Sequence, residues 1–173
     1  ALKVDPAQIK YVGVSHYHFD HIGQLGEFPG ATLLVGKPDW QVVTTDPASY
    51  GADPKPFEPW IKGGSKVETV ANDKDIFGDG SVTMLRLPGH TPGHNGLLVR
   101  LKTKGPVLLT GDLAHFKENY TSNGVPTFNF DRAQTLASLD RFKKLADNLD
   151  ATVIIQHEPA DIKKLPAFPQ AAE

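Results

Sequence analysis

The sequence contains no cysteine. Disulfides, thiolate metal ligands and a cysteine nucleophile are therefore excluded, and the redox compartment is left undetermined. Long apolar runs are missing as well: none reaches the roughly eighteen residues that a membrane-spanning helix needs. Strong charge of either sign is also lacking. A formal net charge of −2 and an isoelectric point near 6.4 leave no broad basic face for nucleic acid. The chain opens on Ala1-Leu2-Lys3 with neither an initiator methionine nor the basic-then-apolar pattern of an export signal. A leader already removed would leave no trace, so the sequence does not separate a cytoplasmic from a periplasmic compartment. What is present is 173 residues, 39% hydrophobic and 22% charged. That is the size and composition of one soluble globular domain over residues 1–173, acting on a small-molecule partner.

Short β-branched runs alternate with helical patterns. Asp5-Pro6 suits the start of a short helix over Pro6 to Lys10. Strands are predicted at Tyr11 to Val14, Thr32 to Val35, Val82 to Leu87, Gly96 to Leu101, Val107 to Thr110 and Thr152 to Ile155. Pro38 to Thr45 fits an amphipathic helix. The clearest helix runs from Arg132 to Leu149, with Asp131 as cap, Gln134 completing a capping box, and an apolar stripe through Leu136, Leu139, Phe142, Leu145, Ala146 and Leu149. Asp46 to Lys66, rich in proline and interspersed with Tyr50, Phe57 and Trp60, reads as a long loop, either a lid or binding element or an ordinary packed connection. The tail from Pro159 carries no strong pattern. Alternating strands and helices define an α/β layered protein, and its polar clusters fall at strand ends, where open sheets place their ligand sites.

The chemistry is concentrated in those clusters. His16-Tyr17-His18-Phe19-Asp20-His21 packs three imidazoles and a carboxylate into six positions directly after a strand. Four such groups, if buried, must be hydrogen-bonded or bound to a cation, and histidine with aspartate suits Zn²⁺ or a neighbouring first-row metal. Residues 16 and 18 point the same way in extended chain, while Asp20 and His21 lie beyond the bend. His90, Asp112 and His157 each follow another predicted strand. Asp39, Asp46 and Asp53 read as turn or cap residues, and the aromatics Trp40, Tyr50, Phe57 and Trp60 more as core than as a substrate tunnel.

Taken in order, His16-x-His18-x-Asp20-His21, Gly89-His90-Thr91-Pro92-Gly93-His94, Thr110-Gly111-Asp112 and His157 resemble the metallo-β-lactamase superfamily over roughly Tyr11 to Glu158. The resemblance implies an αββα sandwich with a dinuclear metal site. It implies that His16, His18 and His90 hold one metal, that Asp20, His21 and His157 hold the other, and that Asp112 bridges them. Two Zn²⁺ ions are expected, with manganese, cobalt or iron as alternatives. A hydroxide bridging them would attack the substrate, Asp20 taking its proton. In the same resemblance His94 is a loop-steadying residue beside the ligands. Only fifteen residues precede His16, fewer than the family places there. The expectation is therefore that part of the N-terminal sheet is absent, and that the missing segment or a second copy covers the exposed surface.

Within the superfamily, His18 stands where oxygen-reducing di-iron relatives carry a glutamate, which favours hydrolysis. Asp112 stands where the antibiotic-hydrolysing branches lack a bridging aspartate. The stretch Thr110 to Tyr120, with Ser15 to His21, is most similar to the N-acyl homoserine lactone lactonases, quorum-quenching enzymes that open a lactone ring. Those carry a tyrosine three positions after the bridging aspartate; His115 stands there, and the expected roles are to donate a hydrogen bond to the opening ring's oxygen, to protonate the departing alkoxide, or simply to wall the pocket. Rival expectations are a thioesterase of the glyoxalase II kind, a phosphodiesterase of the same fold, a mononuclear iron oxygenase, and an inactive metal-binding fragment.

Overall fold

The computed structural model describes residues 4–167 and 169–173. The chain forms two compact units that divide after Ala71.

The first unit is built on a three-stranded parallel sheet in the order β1 (Tyr11–Gly13), β2 (Thr32–Gly36), β3 (Val67–Val70). Tyr11 pairs with Thr32, and Leu33 with Val67. Parallel neighbours need crossover connections. The first crossover carries α1 (Phe19–Ile22) and the second carries α2 (Lys37–Thr45) and α3 (Glu58–Ile61). The helix predicted at Pro6 to Lys10 shrinks to a single 3-10 turn, Pro6–Gln8, capped by Asp5 Oδ1 on the Ala7 N–H at 2.9 Å. The stretch read as a loop from Asp46 to Lys66 differs more. It folds into 3-10 turns at Ala48–Tyr50 and Lys55–Phe57 and then into α3. Its aromatics are the reason: Phe57 and Trp60 are buried with Leu33, Val35, Val42 and Tyr17, and the Trp60 indole N–H donates to the Ala31 carbonyl at 2.8 Å. Asp46 and Asp53 cap local turns. Asp39, expected as a turn or cap residue, is fully buried in the first turn of α2.

The second unit is a five-stranded sheet in the order β4 (Lys74–Asp75), β5 (Val82–Arg86), β6 (Asn95–Leu101), β7 (Gly105–Leu109), β8 (Thr152–Ile154). All pairs are antiparallel except β7 with β8. That parallel step is bridged by α4 (Lys117–Ser122) and α5 (Arg132–Leu149), and α6 (Pro159–Ile162) follows β8. The helix α5 has the predicted bounds. Leu139, Phe142 and Ala146 pack on Leu85, Leu87, Leu98 and Leu108, whereas Leu136, Leu145 and Leu149 are only half-buried. Two polar residues on the same face, Thr135 and Ser138, are buried instead.

The start of α5 departs from a capping box. Asp131 Oδ1 accepts from the Gln134 N–H at 2.9 Å, but the Gln134 amide donates to Asp131 Oδ2 rather than turning back to the Asp131 N–H. These bonds hold the Asp131 carboxyl below the ordinary aspartate value, the Gln134 backbone N–H first among the causes. A carboxyl lowered by folding contributes stability above its unfolded value, about 3.9, and loses it as pH falls through the folded one. Asp131→Ala is therefore expected to unfold at lower urea than the parent at pH 7. The difference should close in acid, where the parent's carboxyl is protonated too. A gap that persists unchanged at pH 3 would contradict the cap's ionic character.

Candidate metal centre

Each chemistry-bearing cluster sits on the loop that follows a strand. In the first unit, the chain leaving β1 is anchored by Val14, whose N–H donates to the Leu34 carbonyl at 3.1 Å, and by buried Tyr17. Between and beyond these anchors His16, His18 and His21 come together. The His16 ring lies 4.6 Å from that of His18 and 4.2 Å from that of His21, centre to centre. Ser15 Oγ reaches Nδ1 of both His16, at 3.0 Å, and His21, at 3.3 Å. His16 is fully buried, His18 and His21 are half-buried, and Asp20 is exposed with Oδ2 3.5 Å from His21 Nε2. Burial, helped by the Asp39 carboxylate and the Tyr50 phenol, pushes the Tyr17 phenol well above the ordinary tyrosine value. Tyr17 thus stays neutral and walls the cluster.

In the second unit three loops meet. After β7, Thr110 N–H continues the parallel pairing to the Ile154 carbonyl, and the Gly111–Leu113 turn places Asp112, held by buried Leu113. Asp112 Oδ2 lies 3.4 Å from His90 Nε2 and 3.1 Å from His115 Nε2; Oδ1 lies 3.1 Å from His157 Nε2. Three imidazoles thus converge on one nearly buried carboxylate. His115 also stacks on His157 with centroids 5.6 Å apart. His157 follows β8 on a loop fixed by Asp161, whose Oδ2 accepts from the Ile155 N–H at 2.9 Å. His90 is set by the Pro88-Gly89-His90 backbone, whose carbonyls accept from Ser138 Oγ, the Asp131 N–H and the Phe130 N–H. The first of these bonds explains why Ser138 is buried on α5: the Pro88 carbonyl needs a donor that leucine could not supply.

His94 is also fully buried, and both ring nitrogens are used. Nδ1 lies 2.9 Å from the Leu87 carbonyl, and Nε2 accepts from the Asp112 N–H at 2.9 Å. It bonds Asp112's backbone rather than joining the carboxylate's ring of imidazoles. A side chain at Gly111, where φ is +55°, would press on the His94 ring and on the Asn95 carbonyl. Several further participants have no mark in the sequence. Ser15 and Asn129 each reach a histidine's Nδ1, the latter at His90 with 3.0 Å, and Phe128, two-thirds exposed, stands edge-on to His90 at 6.0 Å and His115 at 5.5 Å.

These donors fit a divalent first-row cation: imidazole nitrogens turned toward a carboxylate, with Nδ1 of His16, His21 and His90 already engaged by neighbours. The sequence model of the Metallo-beta-lactamase superfamily matches residues 1–157, and the chain belongs to that superfamily. Its relatives include an N-acyl homoserine lactonase AttM of Rhizobium radiobacter, 38% identical over 174 residues, a match covering 97% of this chain and 66% of the relative. An N-acyl homoserine lactonase of Bacillus sp is 31% identical, with 96% and 62% covered. The chain is also similar to a solved N-acyl homoserine lactone hydrolase with its product N-hexanoyl-L-homoserine bound at the catalytic metal center. That match has a TM-score of 0.82 and 26% identity, and covers 98% of this chain and 64% of that one. The chain thus has the metallo-β-lactamase fold and spans about two thirds of the length of these relatives. Among the described residues no helix is long and apolar enough to cross a membrane.

Proposed function

We propose that this chain carries the catalytic residues of a dinuclear metal-dependent hydrolase that opens N-acyl homoserine lactones. His16, His18 and His90 would hold one cation, Asp20, His21 and His157 the other, and Asp112 both, with zinc as the resident metal. The observation that carries the reading is Asp112: a carboxylate this buried, ringed by imidazole nitrogens at 3.1–3.4 Å, has the surroundings of a shared ligand. The relatives named for lactone hydrolysis, and a family match that spans both histidine clusters, support it.

Two cations bound there supply Lewis-acid polarisation of a carbonyl and acidify a water toward neutral pH. The remaining tasks fall to the chain. Ring opening joins a water oxygen to the lactone carbonyl carbon, breaks the ring C–O bond, and moves a proton to the departing alkoxide. Asp20, exposed at the first turn of α1, takes the water's proton. His115, whose Nε2 lies 3.1 Å from Asp112 Oδ2 and whose ring stacks on His157, would donate to the ring oxygen. Phe128 offers an apolar edge beside His115 for the acyl part.

The test is a panel of N-hexanoyl homoserine lactone, an S-acylglutathione and a bis-aryl phosphate, offered with zinc present. Hydrolysis of the lactone above both others is expected. Hydrolysis of the phosphate or the thioester alone would overturn the substrate assignment.

A further inference from the structure

We infer that Asn129 is a positioning residue that fixes which nitrogen of His90 carries the proton. The inference rests on the proposed role of His90 as a metal ligand through Nε2. Thr135 Oγ1 lies 2.7 Å from the Asp131 carbonyl, which can only accept, so the hydroxyl proton is committed there. The second neighbour of that hydroxyl, the Asn129 amide at 3.1 Å, must then donate, which places Nδ2 toward Thr135 and Oδ1 toward His90. Oδ1 lies 3.0 Å from His90 Nδ1 and can only accept. His90 is thereby required to carry a proton on Nδ1.

The consequence lies on the other side of the ring. In the neutral imidazole Nε2 is left with its lone pair, 3.4 Å from Asp112 Oδ2, both side chains being nearly inaccessible to water. That lone pair is what the ring offers a cation. Without Oδ1, the ring would instead place its proton on Nε2 and donate to Asp112, and that proton would have to leave before a metal could bind. Asn129 holds the site in its ligand-ready form through a chain of three bonds, ending on the backbone at the start of α5. The turn that presents His90 is fastened to the same place, since Asp131 N–H donates to the Gly89 carbonyl and Phe130 N–H to that of His90.

The experiment reads the protonated ring nitrogen directly, by ¹⁵N–¹H correlation of the imidazoles in the metal-free chain at mildly alkaline pH, and zinc affinity by competition with a chromophoric chelator. In the parent, His90 is expected to carry its proton on Nδ1. Asn129→Leu should move it to Nε2 and weaken zinc binding about 10–100-fold, the usual effect of losing a partner behind a metal-bound histidine. Asn129→Asp keeps an acceptor and should retain the parent tautomer, with a loss below about tenfold. Thr135→Val removes the anchor of the amide and should yield both tautomers. An Nε2–H signal in the parent, or a parent-like tautomer and affinity in Asn129→Leu, would overturn the inference while leaving His90 a ligand. Undiminished zinc affinity in His90→Ala would instead overturn the ligand assignment on which it rests.

Discussion

Under the proposed function, replacing Asp112 with alanine is expected to remove both bound metal and lactone hydrolysis, with a loss of activity beyond the roughly 10–100-fold that follows from disturbing an outer partner of a ligand. The reason is geometric. Three imidazoles of the second unit turn to Asp112, at 3.4, 3.1 and 3.1 Å, and its side chain is nearly buried. Without it, His90, His115 and His157 lose the carboxylate to which all three turn, and a cation there loses the one ligand proposed to be shared. Asp112→Asn makes the sharper comparison, because it preserves volume and one acceptor oxygen while removing the charge. Elemental analysis of both variants should find less metal than in the parent, with Asp112→Asn the milder of the two. Full metal content with full activity in Asp112→Ala would contradict the shared-ligand role.

The second large effect is expected at His94, and it is one of stability. The ring is fully buried, and only the neutral form with its proton on Nδ1 serves both its partners, the Leu87 carbonyl and the Asp112 N–H. Alanine would leave that carbonyl and that N–H buried without partners. At about 1–3 kcal/mol for each orphaned group, the unfolding free energy should fall by roughly 2–6 kcal/mol, before any cost of the space left by the ring. The loss should appear as a lower urea midpoint with an unchanged slope. Measuring it in the presence of a chelator keeps metal binding out of the comparison. A change below about 1 kcal/mol would mean that the turn around Gly111 stands without the ring. Metal retention is expected to fall as well, since the His94 bond fixes the backbone of Asp112 itself.

Much of this was legible in the sequence because the informative signals are short-range. Three histidines and an aspartate within six positions, or a histidine immediately after a β-branched run, can be read without knowing which strands pair. The long helix α5 was equally readable, since its apolar period and its aspartate cap lie within one segment. Strand β3 was not, because Val67-Glu68-Thr69-Val70 becomes a strand only through pairing with β2, more than thirty positions earlier. Helix α4 carries no apolar stripe to announce it; Lys117–Ser122 has no buried residue.

The buried polar residues were hidden for a different reason. Thr135 and Ser138 look like surface positions of an amphipathic helix; Ser138 is buried on the Pro88 carbonyl and Thr135 between the Asp131 carbonyl and the Asn129 amide, partners that only the folded chain presents. Asn129 has no signature at all. Its role arises from a bond to a residue 39 positions away. In the Asp46 to Lys66 stretch the prolines hide the short turns and α3, while Phe57 and Trp60, which read as core from the sequence, are buried and hold the stretch against the first sheet.

The proposed pairing of the two histidine clusters around shared cations is tested most directly by locating metal in crystals of the zinc-loaded chain with anomalous scattering at the zinc edge. The account predicts two peaks, one ligated by His16, His18 and His90, the other by Asp20, His21 and His157, and Asp112 on both. A single peak, or metal bound by side chains of only one cluster, would contradict it.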